Sequence, residues 1–246
     1  TDETGCEGQT MQTITVNEKP VADFLQGLAC DQTAVQVTGN STTSVDNITN
    51  WWWDCDDPGS GISNQSNAQN PTHLFSSAGV YNVQLIIKAF GFDTITKQVE
   101  VYEIPQTQFS WSLPCLNQEI QLTDNSSAGD GIINQWRWEI SDGSSFSIQN
   151  PAYTFPSAND FDVKLVVKDD LGCSDSLIKN LRVLQHPTSN FEFTLNCLNT
   201  PTLFNNTSDQ GSSPIAQYEW TFGDGNNSSD ENPTNTYNIP GNYNVN

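Results

Sequence analysis

An internal repeat constrains this chain more than any other feature of its sequence. Four residue types recur with spacings of 85 and then 82 residues: Pro20, Pro105 and Pro187, each followed four residues later by phenylalanine; Cys30, Cys115 and Cys197; and Trp53, Trp138 and Trp220. Registration over so many positions indicates tandem copies of one structural unit. We therefore expect one fold for all units of this length, and the chain contains several of them.

The phase of the repeat places the predicted boundaries. We expect modules at residues 20–104 and 105–186 and a truncated third module at 187–246. Gly5-Cys6 has the phase of Gly172-Cys173, so residues 1–19 are predicted to be the tail of a preceding module. The linkers that end at Pro20, Pro105 and Pro187 are short, and proline with the residue before it favours extended backbone. Successive modules are therefore expected to run head to tail.

Each unit has the apolar pattern of antiparallel β-strands. Tyr81, Val83, Leu85 and Ile87 alternate with polar residues, which is the period of a half-buried strand. Short sequences rich in Asp, Gly and Pro separate these strands and predict turns. No segment shows a convincing helical period. The pattern predicts an all-β fold made of tandem immunoglobulin-like β-sandwich modules, with a tryptophan of a central strand in each core.

Charge and motifs exclude several classes of function. The chain has 29 Asp and Glu against 8 Lys and Arg and a net charge of -21, so nucleic acid and anionic membrane surfaces would be repelled. No apolar run approaches the roughly 20 residues of a membrane-spanning helix. The sequence has no nucleophile elbow, zinc-protease motif or phosphate-binding glycine loop, and His73 and His186 stand at different phases of the repeat. We therefore expect no catalysis.

Three recurring motifs resemble the PKD (polycystic-kidney-disease type) domain family over essentially the whole chain. The run from Trp220 to Gly225 is similar to the W-D-F-G-D-G signature of that family. An N-P-x-x-x-[FY] run and a G-x-Y-x-V strand complete the pattern, as at Asn70–Phe75 and Gly79–Val83. The first two units depart from the signature after Trp53 and Trp138, but both keep the tryptophan and the turn aspartate.

The resemblance implies a secreted or cell-surface spacer or recognition module. Arrays with these added cysteines resemble the large adhesins and secreted hydrolases of gliding, type-IX-secreting bacteria. The favoured function is thus an extended stalk and adhesion segment. The alternative is an accessory carbohydrate- or protein-binding segment of a secreted polysaccharide hydrolase or protease. Expected partners are neighbouring modules of the same parent chain, and also a polysaccharide or a protein of the surface or secretion machinery.

An acidic turn in the first unit gives the one candidate metal site. Asp54, Asp56 and Asp57 offer the carboxylate oxygens that Ca²⁺ prefers. However, only the turn aspartate recurs in the other units, as Asp142 and Asp224. A recurring turn aspartate is also explained by hydrogen bonds to the backbone of its own turn. A structural turn is the favoured interpretation and a calcium site is the alternative; no other cofactor is expected.

Trp52 is the candidate ligand contact. Its neighbours Trp51 and Trp53 have aromatic counterparts in the other units, whereas its own counterparts are Arg137 and Glu219. Strand alternation therefore places Trp52 on the outer face of its sheet. An exposed tryptophan can stack on a sugar or anchor a partner, and it can equally lie under a loop or against a neighbouring module.

The cysteines are expected to be oxidised, since disulfides are typical of extracellular modules of this size. Parity suggests Cys30–Cys55 and Cys115–Cys173, with partners for Cys6 and Cys197 outside this sequence. The competing hypothesis is a bond across the module junction, Cys30–Cys173, because Cys115 and Cys173 would lie at opposite ends of an immunoglobulin-like module. A Cα–Cα separation beyond about 7 Å excludes any proposed pair.

Overall fold

A computed structural model describes residues 3–5, 7, 9–44 and 47–246. Nearly all regular structure is antiparallel β-sheet, and the predicted all-β fold is confirmed. A 3-10 segment, Pro58–Asn64, lies in the first repeat and is interrupted at Gly61, where φ is 62°. In the part of the chain just described, no helix combines the length and apolarity needed to cross a membrane.

The first repeat is a sandwich of two sheets. Its strands are β1 (Phe24–Gln26), β2 (Val35–Gly39), β3 (Asn50–Asp54), β4 (Gln65–Ser66), β5 (Thr72–His73), β6 (Gly79–Lys88) and β7 (Phe92–Val101). One sheet has the order β1-β2-β5 and the other has the order β4-β3-β6-β7. The long hairpin β6–β7 pairs ten residues with ten, from Gly79 opposite Val101 to Lys88 opposite Phe92.

The second repeat has the same strand plan. Its strands are β8 (Phe109–Trp111), β9 (Ile120–Asp124), β10 (Ile133–Ile140), β11 (Ser145–Phe146), β12 (Ala152–Tyr153), β13 (Asp160–Asp169) and β14 (Ser174–Arg182). The sheet orders β12-β9-β8 and β11-β10-β13-β14 match those of the first repeat strand for strand.

The third repeat shows the first part of this plan. Its strands are β15 (Phe191–Phe193), β16 (Pro201–Asn206), β17 (Trp220–Thr221), β18 (Asn227–Ser228) and β19 (Thr234–Thr236). They form the sheets β15-β16-β19 and β17-β18. Phe204, Trp220 and Phe222 are the buried residues of its core.

The recurring phenylalanine and tryptophan meet edge to face in every repeat. The ring centroids are 5.2 Å apart in Phe24–Trp53, 5.1 Å in Phe109–Trp138 and 5.1 Å in Phe191–Trp220. Each tryptophan also donates its Nε1–H to a backbone carbonyl: Trp53 to Ala68, Trp138 to Ile148 and Trp220 to Asp230. The three tryptophans are buried, as the sequence pattern predicts.

The aromatic residues two positions earlier are less buried than these three tryptophans. Trp136 is half-buried, and its Nε1–H donates to Oδ2 of Asp124 over 2.8 Å. Trp51 is likewise half-buried and packs against the edge of the first core. These side chains cover the rim of the core, whereas Trp53 and Trp138 occupy its centre.

The asparagine of each Asn-Pro pair has a repeated structural role. Its side-chain oxygen accepts the backbone N–H at the end of the second strand: Gly39 to Asn70, Asp124 to Asn150 and Asn206 to Asn232, over 2.8–3.0 Å. The proline that follows has no N–H, and its carbonyl accepts from Val37, Leu122 or Phe204. The motif thus closes the end of one sheet in all three repeats.

The chain divides into two compact units that do not follow the repeat boundaries. The first comprises Thr1–Thr107, Ser126–Gln135 and Val166–Ser176; the second comprises Gln108–Asn125, Trp136–Leu165 and Leu177–Asn246. Residues Ser126–Gln135 and Val166–Ser176 of the second repeat therefore belong to the same compact unit as the first repeat. The cause is the junction described below. The predicted module boundaries remain a prediction.

Replacing Trp138 by alanine should lower the free energy of unfolding by about 3–5 kcal/mol, because a fully buried indole leaves a large cavity. Trp52→Ala is the control and should cost about 0.5 kcal/mol or less. Urea titration followed by circular dichroism measures both. A loss below about 1 kcal/mol for Trp138→Ala would show that the assigned strand phase is wrong.

Candidate interaction surface and repeat junction

Trp52 lies on the outer face of the sheet β4-β3-β6-β7, as alternation along β3 predicts. It is 37% exposed, whereas the adjacent Trp53 is 2% exposed. On the same face Ile86 of β6 lies directly opposite Trp52, and Thr94 of β7 lies opposite Ile86. The Trp52 ring is not among the residues of the first core, which contains Trp53 and has Trp51 packed against it.

Phe92 forms a surface together with Trp52. The two ring centroids are 6.2 Å apart, with the planes inclined by 31°. Nζ of Lys88 lies 5.6 Å from the Phe92 centroid, within cation–π distance. Phe92 is 57% exposed and Phe90 is 75% exposed. We call Trp52 and Phe92 the aromatic patch.

The patch was only half predicted by sequence. The charged counterparts of Trp52 in the other repeats identify it, whereas the sequence analysis does not identify Phe92. A signal was present, because alternation along β7 puts Phe92, Thr94 and Thr96 on the outer face with Trp52.

A disulfide joins Cys30 of the first repeat to Cys173 of the second, with a Cα–Cα separation of 5.8 Å. The expected pairs Cys30–Cys55 and Cys115–Cys173 are therefore wrong, and the competing junction bond is confirmed. Cys55 packs inside the core of the first repeat, whereas Cys30 packs with Ile104 and Cys173 in a separate cluster. The topology of the sandwich thus separates the residues that parity had paired.

Hydrogen bonds hold the linker at the same junction. Tyr102 donates its N–H to the Ala29 carbonyl over 3.0 Å and accepts from the Asp31 N–H over 2.9 Å. Oδ1 of Asp31 accepts the Ile104 N–H over 3.0 Å. From the second repeat, Oδ2 of Asp130 accepts the Glu103 N–H over 2.7 Å. Both repeats therefore fix the backbone of this linker, which explains why these segments form one compact unit.

The remaining described cysteines are free, and they differ in environment. Cys55 is buried, and desolvation, followed by the charges of Asp54 and Asp57, raises the pKa of its thiol to about 11. A thiol that stays protonated is a poor nucleophile. Cys115 is partly buried and Cys197 is exposed. Cys6 lies outside the described residues.

The turn aspartates accept the hydrogen bonds expected of a structural turn. Oδ1 of Asp142 accepts the Ser144 N–H over 2.9 Å, and Oδ1 of Asp224 accepts the Asn226 N–H over 3.0 Å. The second oxygen of each binds the strand that faces the turn. There Asp57, Asp142 and Asp224 contact His73, Tyr153 and Asn235 respectively, over 2.8–3.0 Å.

In the first repeat the three acidic side chains contact different partners. Asp57 is buried and accepts from the N–H and the hydroxyl of Ser76 as well as from His73. Asp54 accepts from Asp56 N–H and Asn64, while Asp56 accepts from Asn82. Among the described residues no group of three His, Cys, Asp or Glu is arranged to hold a metal ion. These hydrogen bonds fit a structural turn, and the calcium site at Asp54, Asp56 and Asp57 stays an untested alternative.

His73 and Ser76 do not form a nucleophile with Asp57. In a Ser-His-Asp triad the imidazole lies between the hydroxyl and the carboxylate. Here the carboxylate lies between them, and Nδ1 of His73 faces the carbonyl of Ser63 over 3.1 Å. His186 contacts the Leu116 carbonyl through Nε2. Both histidines thus have structural partners.

Adding about 1–10 mM Ca²⁺, enough to fill weak extracellular sites, should leave the melting temperature unchanged relative to EDTA. The physical reason is that N–H and O–H donors already face the carboxylates of this turn. Differential scanning calorimetry measures the effect. A rise in melting temperature that Asp54→Asn removes would support the calcium alternative.

Acid should destabilise the first repeat through Asp57. Burial alone would raise the pKa of this carboxyl, but hydrogen bonds from Ser76 and His73 outweigh it, and the pKa lies below its usual value. A carboxyl with a lowered folded-state pKa contributes stability above its unfolded pKa of about 4, and that contribution is lost as the pH falls.

Asp57→Asn should therefore remove part of the acid sensitivity. At neutral pH it should cost about 1–3 kcal/mol, because an amide offers one acceptor oxygen where the carboxylate accepts from His73 and Ser76 through two. Urea titrations between pH 7 and pH 3 measure this, with the exposed Asp56→Asn as control. Parallel stability curves for Asp57→Asn and the parent chain would argue against this role of Asp57.

Comparison with known proteins places these features in a family. The PKD domain family model matches residues 17–102, 110–183 and 186–246. Among solved structures, the chain is similar to the PKD1 domain of the Vibrio cholerae metalloprotease PrtV, with 26% identity, 32% of this chain and 96% of that chain covered, and a TM-score of 0.31. The PKD1 domain of Vibrio anguillarum Epp gives 22% identity, 33% and 95% coverage, and a TM-score of 0.32.

The chain is also similar to a solved structure of modules with another name. The fibronectin(III)-like modules of Clostridium thermocellum CbhA match with 12% identity, 67% of this chain and 95% of that chain covered, and a TM-score of 0.39. The PKD family model matches a segment in each of the three repeats and covers most of the chain. This chain belongs to the PKD domain family, and its repeats are tandem PKD domains.

Proposed function

We propose that this chain is a non-catalytic spacer and adhesion segment of a secreted or cell-surface protein. The observation that carries the proposal is the Cys30–Cys173 disulfide between consecutive PKD domains. The bonded cysteines pack with Ile104 in a cluster of their own, separate from the core of the first domain. The effect of the bond is to hold two domains together, which is a requirement of a stalk and not of an active site.

The bonds at the junction between the first two domains support a mechanical role. The disulfide joins two cysteines that are 143 positions apart in the sequence. When either domain unfolds, the chain between these cysteines therefore remains closed in a loop. The linker between the domains has hydrogen-bond partners on both sides, at Asp31 and Asp130. Proline at position 105 further limits the backbone. Bending at this linker would break several of these contacts together.

The proposed location follows from the same bond. Disulfides persist in oxidising compartments, that is, outside the cytosol. The net charge of -21 keeps such a surface solvated and away from anionic lipids. We place the segment in a surface protein such as the adhesins of gliding, type-IX-secreting bacteria, with neighbouring PKD domains and a surface protein or polysaccharide as partners.

A second candidate function is carbohydrate binding in an accessory segment of a secreted hydrolase. One observation favours it, namely the exposed Trp52 beside Phe92 on a polar sheet face. Aromatic rings with this exposure can stack on the apolar face of a pyranose. This function would be local to the first repeat, because Arg137 and Glu219 replace Trp52 in the others.

Cys173→Ser should lower the free energy of unfolding by about 2–5 kcal/mol and loosen the junction. Urea titration and small-angle scattering on the whole chain measure the two effects. Cys115→Ser is the matched control, because this cysteine is free and only partly buried. If the variant keeps both the stability and the scattering profile of the parent chain, the junction bond has no mechanical role.

The spacer proposal also predicts the scattering of the parent chain. Its radius of gyration should exceed the ~18 Å of a single compact body of this length. A value near that limit would contradict an extended spacer. Turnover of glycan or peptide substrates by the purified chain would contradict the non-catalytic assignment.

A further inference from the structure

Two surfaces meet at the junction between the first two repeats. The first turn of the first repeat supplies Leu28 and Cys30, and the tip of the hairpin β13–β14 of the second repeat supplies Gly172 and Cys173. The two cysteines are bonded to each other. A Cβ atom on Gly172 would lie 3.0 Å from Cδ2 of Leu28, so the hairpin tip packs closely on that leucine. The last hairpin of the second repeat therefore contacts the first turn of the repeat before it.

The first turn of the second repeat places Cys115 as the first repeat places Cys30. Cys115 forms a parallel bridge with Leu184, and Cys30 forms the same bridge with Tyr102. The N–H of the residue after each cysteine donates to the carbonyl of this bridge partner, over 2.8 Å and 2.9 Å respectively. Cys115 thus has the backbone position of a cysteine that is bonded at the first junction.

The linker after the second repeat is also held as the linker after the first. A Cβ atom on Gly129 would lie 2.7 Å from the Ile104 carbonyl oxygen, and a Cβ atom on Gly211 would lie 2.7 Å from the His186 carbonyl oxygen. Side chains of the following repeat accept a linker N–H in both junctions, each over 2.7 Å: Asp130 from Glu103, and Ser212 from Gln185. The third repeat therefore contacts the linker before it through the same loop as the second repeat.

The first turn of the second repeat differs from its counterpart in exposure. Cys30 is 7% exposed, whereas Cys115 is only partly buried and is free. Leu113 has the repeat position of Leu28, and it is 69% exposed. An apolar residue and a thiol are thus presented together where the first junction receives a hairpin tip.

The third repeat positions the start of the hairpin that would reach this turn. Thr221 and Asn246 exchange two backbone hydrogen bonds of 2.9 Å. Asp54 and Gln84 pair at the equivalent place in the first repeat, and Gln84 belongs to the first strand of the hairpin β6–β7. The chain at Asn246 is therefore directed along the first strand of the third repeat's own hairpin.

We infer that Cys115 is one half of a second disulfide between PKD domains, and that its partner is a cysteine at the tip of the last hairpin of the third domain. That hairpin reaches Leu113 and Cys115 because the third domain is held at its linker as the second domain is. Pairing within one domain is the alternative. The second domain argues against it, since Cys115 is free there while Cys173 is bonded to Cys30.

The test completes the third domain. The chain is extended after Asn246 by a second copy of residues 165–184, which supplies a hairpin with one cysteine; Ser176→Thr in the copy distinguishes its peptides by mass. Oxidised glutathione is the oxidant: two thiols lose two protons and two electrons, and one glutathione disulfide becomes two glutathione thiols. The expected product is a disulfide between the added cysteine and Cys115, identified by peptide mass spectrometry without reduction.

Cys197 is the internal control, because it lies in the same domain as the added cysteine. Docking of the hairpin raises the effective concentration of the added thiol at Cys115, so this bond should form at least about tenfold faster than a bond to Cys197. Leu113→Asp should slow the bond to Cys115, because it removes the apolar contact of the tip. Leu195→Asp is the matched variant, at the equivalent residue of the third repeat, and should leave the rate unchanged.

A bond to Cys197, a disulfide-linked dimer, or a free added thiol in an extended chain whose circular dichroism shows the added β-sheet would overturn the inference. Disulfide mapping of the natural protein gives the same readout without a graft: Cys115 should be linked there to a cysteine outside residues 1–246, and a free Cys115 would overturn the inference. The inference rests on the proposed spacer function and extends it to the second junction. The two can fail separately, because the spacer proposal is tested at Cys173 and this one at Cys115.

Discussion

The edge-to-face contact between a phenylalanine and a tryptophan is the interaction on which each repeat depends. It joins the two sheets, because Phe24 belongs to β1 and Trp53 to β3. The indole N–H must also find an acceptor once it is buried, and the carbonyl of Ala68 supplies one. Satisfying both requirements fixes the position of β3 and of the loop after β4. Variation elsewhere in the three repeats leaves this arrangement unchanged.

Much of this architecture was predictable because it is local and repeated. Alternation along β6 places Tyr81, Val83, Leu85 and Ile87 in the core, and all four are buried. The turn aspartates were predictable for the same reason, since Asp142 and Asp224 bind N–H groups two residues away. The partners of their second carboxylate oxygens were not predictable, because Tyr153 and Asn235 lie on the other sheet of the sandwich and reach the turn only when the two sheets pack together.

The Cys30–Cys173 disulfide shows that the number of cysteines in a repeat does not predict how they pair. Parity within a repeat favoured Cys30–Cys55, but it carries no information about which end of the sandwich a residue occupies. Alternation does carry that information: from Trp53, the next core-facing position is Cys55. Its counterparts Ile140 and Phe222 are buried hydrophobic residues. Cys55 therefore replaces an apolar side chain and behaves as a small hydrophobe, consistent with its raised thiol pKa.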